Sequence, residues 1–404
     1  MPTGIGIDFG TTNSVAARCD TSKRPLPLTQ GGRPHPSVVW YRLDGSVVVG
    51  QDAKANINGK SGEIGNAFFS SIKRKLGTDP ELDLFGEPRR PSQVAAEILK
   101  HLRWHARETY HHDVREAVVT VPVYFSGLAR RELRNAANLA GIYIKTFVHE
   151  PFAAVVGHCY ATGGRSRLEA LEGKRFLVFD WGGGTLDVTL AEVEAGNISE
   201  LETGGISDRA GDHFDGELRH HCLSRSAARN GLAVDDCNDR HARDRFLLEC
   251  ETRKIELSAK EETAVLLAQA YRSRADGRSF SINEKITRAE FEDLIKNDVT
   301  LALKEVDRVL EKAGISAAQV HQVLLIGGSS NLPLLQHEMV KRFGNRIVRV
   351  SNADTIIAEG ASVIDAEGLQ PILARTIGIG LADGAFYLFS RRARRRSQNS
   401  AGRL

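Results

Sequence analysis

The chain contains little cysteine and little proline for its 404 residues. Its five cysteines are an odd number and lie far apart, at Cys19, Cys159, Cys222, Cys237 and Cys250. This usage excludes a dense disulfide scaffold and favours a reducing compartment, so we expect a cytoplasmic protein. With 12 prolines, 38 glycines and 41% hydrophobic residues, the composition also excludes collagen-like and disordered chains. We therefore expect a folded, soluble protein.

Long apolar runs and a strong excess of charge are also missing. No stretch of about 18 apolar residues occurs, and the N-terminus lacks the basic and apolar regions of a secretion signal. The formal net charge is +3, but residues 391–404 hold six arginines and no acid, which leaves 48 of the 54 basic residues against 51 acidic ones. We expect no membrane and no nucleic-acid partner. The arginine tail is interpreted as solvated, and binding to nucleic acid or acidic lipid is the alternative.

The histidines do not have the spacing of a zinc site. His101 and His105 lie four residues apart on a predicted helix, and His220 and His221 are followed by Cys222. Four ligands at consistent spacing are absent, so we interpret these side chains as solvated or capping residues and expect no zinc.

A chain of this length exceeds the roughly 250–300 residues that one hydrophobic core usually serves, so we expect two lobes. We place lobe I at 1–171, with an accessory subdomain at about 35–103, and lobe II at 172–365, with an inserted, mostly helical subdomain at about 206–287. The polar, glycine-rich segment 163–173 marks the boundary. Both lobes are expected to be α/β.

Two segments repeat one pattern, in which an apolar strand ends in Asp, a glycine turn with Thr follows, and a second apolar strand begins. They are Gly4–Val15 and Phe176–Val188, and each is predicted to be a β-hairpin. Elsewhere the pattern predicts a helix over Arg130–Leu139 that stops at Gly141, a new helix at Glu150–Pro151, and a strand over Val323–Ile326 before a glycine turn.

The repeated turns have the chemistry of a polyphosphate site. Glycine lets backbone N–H groups approach phosphate oxygens closely, and neighbouring Thr hydroxyls add donors. Asp at a strand end can hold the hydration shell of Mg²⁺. A single turn of this kind is more often an ordinary tight turn, but two matching turns predict a clamp around one nucleotide. The residues are Gly10, Thr11, Thr12, Gly182, Gly183, Gly184 and Thr185, with Asp8 and Asp180 as the metal-holding pair.

The chain resembles the ATPase domain of the 70 kDa heat-shock chaperone family, within the actin and hexokinase superfamily. The resemblance extends over residues 4–365 and implies a two-lobed actin-like ATPase fold, made of duplicated ribonuclease H-like lobes with accessory subdomains. The segments that carry it are Asp8–Ser14, Val121–Phe125, His149–Pro151 with Ala153–Ala154, Phe179–Val188 and Leu325–Ser330.

The resemblance implies hydrolysis of ATP to ADP and phosphate with Mg²⁺. Lys73 matches the lysine that reaches the γ-phosphate, although a solvated lysine in a basic segment is the alternative. Glu150 and Asp187 match catalytic carboxylates and would act with Asp8 and Asp180 around the attacking water. Their alternatives are a helix-terminal acid for Glu150 and a turn-closing residue for Asp187.

For the adenosine half of the nucleotide, the resemblance assigns ribose contacts to Glu251 and Lys254, although a solvated i,i+3 ion pair is the alternative. Ile255 stands where the family has an arginine stacked on adenine. The other implied nucleotide contacts are Asn13, Gly211, Ser258, Gly327, Gly328, Ser329 and Asp354. Pro151 and Arg130 match residues that couple nucleotide state to a substrate domain.

The implied partners are nucleotide and possible co-chaperones or client proteins, and we expect a monomer. A non-hydrolysing nucleotide sensor and an actin-like polymer are the other functions considered. Residues 375–389 resemble only the first strands of a substrate domain, so 366–404 is interpreted as a remnant plus the basic tail. We therefore expect ATP hydrolysis that ignores unfolded peptide. Saturable peptide binding that ATP weakens would contradict this expectation.

Overall fold

The structure is a computed structural model that describes residues 4–78, 81–240, 242–350, 352–369, 377–380 and 386–390. Its centre is two β-sheets, one in each lobe, and each begins with one of the repeated hairpins. In chain order, lobe I contains β1 (Gly4–Phe9), β2 (Asn13–Cys19), β3 (Pro25–Leu28), β4 (His35–Pro36), β5 (Val39–Arg42), β6 (Val47–Val49), α1 (Gln51–Lys60), β7 (Asn66–Phe69), β8 (Leu82–Leu84), β9 (Glu87–Arg89), α2 (Pro91–Tyr110), β10 (Glu116–Val121), α3 (Gly127–Leu139), β11 (Tyr143–His149), α4 (Glu150–Ala161) and α5 (Gly164–Ala170).

The second half of the chain repeats this plan with different insertions. It contains β12 (Arg175–Trp181), β13 (Thr185–Glu194), β14 (Asn197–Ser207), α6 (Gly211–Arg229), β15 (Cys237–Asn238), α7 (Arg243–Leu257), β16 (Glu262–Ser273), β17 (Ser279–Thr287), α8 (Arg288–Lys312), β18 (Gln322–Ile326), α9 (Pro333–Phe343), β19 (Ile347–Arg349), α10 (Ile356–Glu367), β20 (Ile377–Gly380) and β21 (Phe386–Ser390).

The two central sheets have the same strand order and direction, which confirms the predicted duplication. In lobe I the order is β11-β10-β1-β2-β3, with β4 also paired to β2; in lobe II it is β14-β13-β12-β18-β19. In each sheet the first strand is antiparallel to its hairpin partner and parallel to the strand on its other side. The first strands are apolar on both faces because helices cover both faces of the sheet. Both hairpin turns therefore emerge at the carboxyl ends of parallel strands.

The predicted local elements are largely confirmed, and one is wrong. The α3, α4 and β18 elements lie where the sequence pattern placed them. The inserted subdomain is helical only in α6 and α7, whereas 262–287 forms the antiparallel strands β16 and β17. In β17 the inward positions are Ile282, Glu284 and Ile286. Glu284 is buried because Arg225 and Arg229 of α6 pair with it. With an acid at an inward position, the sequence of β17 lacks the regular alternation of apolar and polar residues that predicts a strand.

Helices α4 and α10 cross between the two sheets and join the lobes. Both are apolar around most of their circumference, as expected for helices that are covered on every side. Their contact requires glycine: a Cβ on Gly360 would lie 1.8 Å from the carbonyl oxygen of Ala153, and one on Gly157 would lie 2.4 Å from that of Ile356. The α10 helix also packs on β1, where Gly4 and Gly6 leave no space for a side chain. The lobes thus share one tightly packed centre.

Strands β20 and β21 pair with each other as an antiparallel hairpin. The arginine tail at 391–404 lies outside the described residues. No helix in the described part of the chain combines the length and the hydropathy that a membrane crossing requires. The division of the chain at 171/172 and the limits of the two accessory subdomains stay predictions.

Candidate functional site

The first hairpin turn, between β1 and β2, is held in shape by two serines. Ser14 Oγ accepts a hydrogen bond from the Gly10 N–H at 3.2 Å and lies 2.9 Å from Ser37 Oγ, which donates to the Gly10 carbonyl at 3.0 Å. At the end of β1, the Asp8 carboxylate accepts a hydrogen bond of 2.8 Å from Thr120. The turn and the carboxylate beside it are therefore pre-positioned by the fold.

The second turn, between β12 and β13, faces the first across the cleft. The Gly182 carbonyl accepts hydrogen bonds from the Gly211 N–H at 3.1 Å and from Ser329 Oγ at 2.9 Å. A Cβ on Gly183 would lie only 2.0 Å from Thr12 Oγ1 of the opposite turn. A side chain at this position would require Thr12 to move, so the two repeated turns meet in direct contact at one place.

Lys73 and Glu150 form a buried ion pair beside these turns. The ammonium and carboxylate are 2.6 Å apart, and each side chain is only 8% exposed. Burial acts against the charged form of Lys73, but the carboxylates of Glu150 and Asp8 outweigh it and raise the lysine pKa. The alternative of a solvated lysine is therefore wrong. Glu150 is the first residue of α4, so it is both a helix-terminal acid and a member of the pair.

Three further carboxylates surround this ion pair. Burial, reinforced by Glu150, raises the pKa of Asp8 to about 6 and that of Asp187 to about 7, and it raises the pKa of Asp180 well above its usual range. Asp187 also accepts a hydrogen bond of 3.1 Å from Thr185, two residues earlier on β13, and it lies opposite Asp180 in the hairpin register. Four acids thus share one lysine, and such a cluster has the charge that a divalent cation or a proton would relieve.

The predicted ribose residues lie on α7 but do not pair with each other. The Lys254 ammonium is 2.8 Å from Asp215 and donates to the Gly211 carbonyl at 2.9 Å. Glu251 instead accepts a hydrogen bond of 2.8 Å from Lys54, which lies on α1 across the cleft. The alternative of an isolated i,i+3 pair is therefore wrong, because each residue has a partner on another element.

One cleft, partly open to solvent, brings most of the predicted residues together. Ile255 is 60% exposed on its wall. The lining includes Asp8, Gly10, Thr11, Thr12, Asn13, Lys73, Glu150, Asp180, Gly182, Gly183, Gly184, Thr185, Gly211, Glu251, Lys254, Ile255, Ser258, Gly327, Gly328, Ser329 and Asp354. Asp187 lines an adjoining crevice between the lobes, which shares Thr11, Lys73 and Thr185 with the cleft.

The two predicted coupling residues do not line the cleft. Pro151 is buried in the first turn of α4. Arg130 lies on α3, where its Nε donates to the Phe125 carbonyl at 3.1 Å and its Nη2 lies 3.2 Å from His149 Nε2. Their roles stay predictions.

Sequence reasoning missed several residues that support the site. Asp215 is buried beside Lys254, and burial raises its pKa to about 7 although the lysine acts in the opposite direction. Asp212 accepts a hydrogen bond of 2.7 Å from Ser71 across the cleft, and Arg74 bridges Asp208 and Asp212. The only local signal was the acidic first turn of α6 after Gly211, and that signal is equally typical of any helix start.

A histidine cluster lies away from the cleft. His35 of β4 contacts His101 and His105 of α2, and its Nδ1 lies 3.1 Å from His101 Nε2. Burial lowers the pKa of both His35 and His101 to about 4. Among the residues that the structure describes, no group of three His, Cys, Asp or Glu side chains is arranged to hold a metal ion. The cluster is therefore a packed group of neutral imidazoles, and the interpretation of His101 and His105 as solvated or capping residues is wrong.

This cluster predicts a loss of stability in acid. Between pH 6.5 and about 4 the unfolded chain binds a proton at His35 that the folded chain does not, so the free energy of unfolding falls as pH is lowered, on the order of 2 kcal/mol. Urea unfolding at several pH values should show a shallower pH dependence in His35→Gln than in the parent. His337→Gln, which changes an exposed histidine, is the control. Identical slopes in all three proteins would contradict the prediction.

The duplicated sheets, the paired glycine turns and the cleft between them define an actin-like ATPase fold.

A sequence model of the Hsp70 protein family matches residues 4–87 and 79–376. The chaperone protein DnaK of Thermosipho melanesiensis is 31% identical over 396 residues, which are 95% of this chain and 64% of that protein. DnaK of Thermotoga petrophila is 32% identical over 396 residues with the same coverage. DnaK of Mycoplasmopsis agalactiae is 30% identical over 389 residues, 94% of this chain and 62% of that protein.

This chain belongs to the Hsp70 family. It spans somewhat less than two thirds of the length of these relatives.

Proposed function

We propose that the chain binds ATP with Mg²⁺ in the central cleft and slowly hydrolyses it to ADP and phosphate. The observation that carries this proposal is the buried Lys73–Glu150 ion pair, which lies among Asp8, Asp180 and Asp187 where the two glycine turns meet. A lysine and several carboxylates around one point suit attack by water on a terminal phosphoryl group.

The residues present fit a nucleotide and its metal ion. The backbone N–H groups and Thr hydroxyls of the two turns are donors for phosphate oxygens, and Asp8 and Asp180 stand at facing strand ends where they would hold Mg²⁺ through its water shell. The raised pKa values of both acids support this assignment, because a bound cation would favour their charged forms. Mg²⁺ would supply charge neutralisation for the phosphates.

The remaining catalytic roles follow from position and charge. The Lys73 ammonium would offset negative charge that develops on the transferred phosphoryl group. Glu150 and Asp187 would orient the attacking water, and a pKa of about 7 suits Asp187 for accepting a proton near neutral pH. On the adenosine side, Glu251, Lys254 and Ser258 would contact the ribose and the base.

Single-turnover measurement tests this function directly. We expect phosphate to appear when the 404-residue chain is mixed with ATP and Mg²⁺, and not when Mg²⁺ is chelated by EDTA. Tight MgATP binding without any phosphate would instead support a nucleotide sensor. Failure to bind either MgATP or MgADP in calorimetry would contradict the proposal altogether.

The proposed function extends to partners and to motion of the lobes. A nucleotide-driven closure of the lobes would change the surface that co-chaperones or client proteins contact, with Arg130 and Pro151 as the coupling residues. The shared centre formed by α4 and α10 supports this idea, because rotation about one packed crossing would move both lobes. A monomer in a cytoplasmic location is also part of the proposal.

Ile255 offers a test of the adenosine site. We expect Ile255→Arg to tighten ADP and ATP binding alike, from a few-fold to about thirty-fold, because a guanidinium plane can stack on the adenine. The hydrolysis step should stay nearly unchanged, since the phosphate contacts do not involve this position. Ile255→Lys adds the charge without the plane and is the control. Calorimetric titration that gives equal ADP affinities for parent and Ile255→Arg would contradict the assignment.

A further inference from the structure

His149 is the last residue of β11 and directly precedes Glu150. Its side chain is 29% exposed, and both ring nitrogens have a partner. Nε2 lies 3.2 Å from the Nη2 of Arg130 on α3, in lobe I. Nδ1 lies 2.8 Å from Oε2 of Glu200 on β14, in lobe II. The imidazole therefore bridges the two lobes next to the proposed catalytic carboxylate.

The chemistry of the two partners fixes the tautomer of this ring. A guanidinium can only donate, so Nε2 of His149 must accept from Arg130. An ionised carboxylate can only accept, so Nδ1 must carry the hydrogen that it donates to Glu200. A single neutral tautomer satisfies both contacts.

Both partners are anchored in their own lobes. Arg130 also donates through Nε to the Phe125 carbonyl, which fixes the plane of its guanidinium. Glu200 lies in register with Ala191 of β13, and its side chain is 15% exposed. The second oxygen of Glu200, Oε1, is buried and has no hydrogen-bond partner among the described residues. Loss of His149 would therefore leave this carboxylate without its hydrogen-bond donor.

The backbone of His149 joins the bridge to the catalytic pair. The residue is aligned with Val121 of β10 and is also the N-cap of α4, yet its side chain makes no capping hydrogen bond. The side chain is occupied by the bridge instead. A displacement of the His149 backbone would move the start of α4, where Glu150 lies 2.6 Å from Lys73, and the bridge restrains that backbone through the side chain.

We infer that His149 is a positioning residue: it holds Glu150 in its productive place by linking the start of α4 to Arg130 in lobe I and to Glu200 in lobe II. The inference rests on the proposed hydrolysis and deepens it, because it couples the geometry of the catalytic carboxylate to the relative position of the lobes. The His149 ring itself would not contact the nucleotide.

The test uses His149→Ala and His149→Asn in the 404-residue chain. We expect His149→Ala to lower the single-turnover rate of MgATP cleavage about 10-fold, since a small displacement of a catalytic group can reduce the reaction rate by this factor or more. The dissociation constant for MgADP should change less than about 2-fold, because the substitution leaves the proposed contacts to the nucleotide intact. His149→Asn should recover most of the rate, since its amide can donate to Glu200. His112→Ala, which removes a half-buried imidazole before β10, is the control.

A second measurement does not depend on turnover. Hydrogen exchange of the amides in residues 143–156, measured with MgADP present, should be faster in His149→Ala and close to the parent in His149→Asn. If the parent cleaves no ATP, the proposed function fails, and this exchange pattern alone decides the role of His149. The inference is overturned if His149→Ala keeps the parental exchange, or if His149→Asn is no better than His149→Ala.

Discussion

Replacement of Lys73 by alanine should lower the rate of MgATP cleavage by about 100-fold or more, whereas MgADP should still bind. The ammonium is the only cation paired with Glu150 among the described residues. Lys73 lies in the 72–75 segment and not on α7, which carries the proposed ribose contacts. In the proposed reaction, its removal would withdraw charge stabilisation from the transferred phosphoryl group. Single-turnover cleavage and calorimetric titration with MgADP measure the two effects separately.

The adjacent residues provide controls for Lys73. Lys75 is exposed, so Lys75→Ala should cleave ATP at the parental rate.

Lys73→Ala leaves a buried carboxylate without its partner, which commonly costs about 3–5 kcal/mol of stability. Lys73→Gln retains a hydrogen-bond donor and should keep the fold while it remains slow. A parental rate in both Lys73 variants would move the catalytic assignment to Arg74, which bridges to Asp208 and Asp212.

Gly360→Ala should destabilise the whole chain by about 3 kcal/mol or more, the upper end of what overpacking usually costs. A Cβ at this position would lie 1.8 Å from the Ala153 carbonyl oxygen and 2.9 Å from the Gly157 nitrogen, both of which are backbone atoms of α4. Backbone in a buried helix cannot move aside as the end of a side chain can, so the two helices must separate. Urea unfolding followed by circular dichroism measures the loss.

A glycine-to-alanine substitution in an open helical position should instead raise the free energy of unfolding. Gly216 lies within α6, and a Cβ built there meets nothing within 4 Å. Gly216→Ala should therefore stabilise the chain by about 0.5–1 kcal/mol, because alanine loses less backbone entropy in a helix. If the two variants unfolded at the same urea concentration, the close crossing of α4 and α10 would be wrong.

The sequence by itself determined the parts of this protein that depend on neighbours along the chain. Glycine and threonine after an apolar strand ending in Asp8 or Asp180 specify the conformation of a turn, and the structure shows both turns as predicted. The start of α4 at Glu150–Pro151 is equally local, because proline in the first helical turn loses no hydrogen bond. A repeated pattern therefore sufficed to predict two related lobes.

The tertiary structure alone decided which charged groups meet. Ile72–Lys75 is a basic segment whose charge pattern suggests solvent exposure. Its one-turn 3₁₀ helix follows Ser71 in the left-handed region and buries Lys73 together with Ile72, whereas the other two basic residues stay exposed. Glu251 and Lys254 have the spacing of a local pair but bind Lys54 and Asp215. Spacing along a helix defines which residues share a face, whereas the partners on the facing surface depend on how distant segments pack. For the same reason, the bridge from Arg130 through His149 to Glu200 depends on the packing of the two lobes and could not be predicted from the sequence.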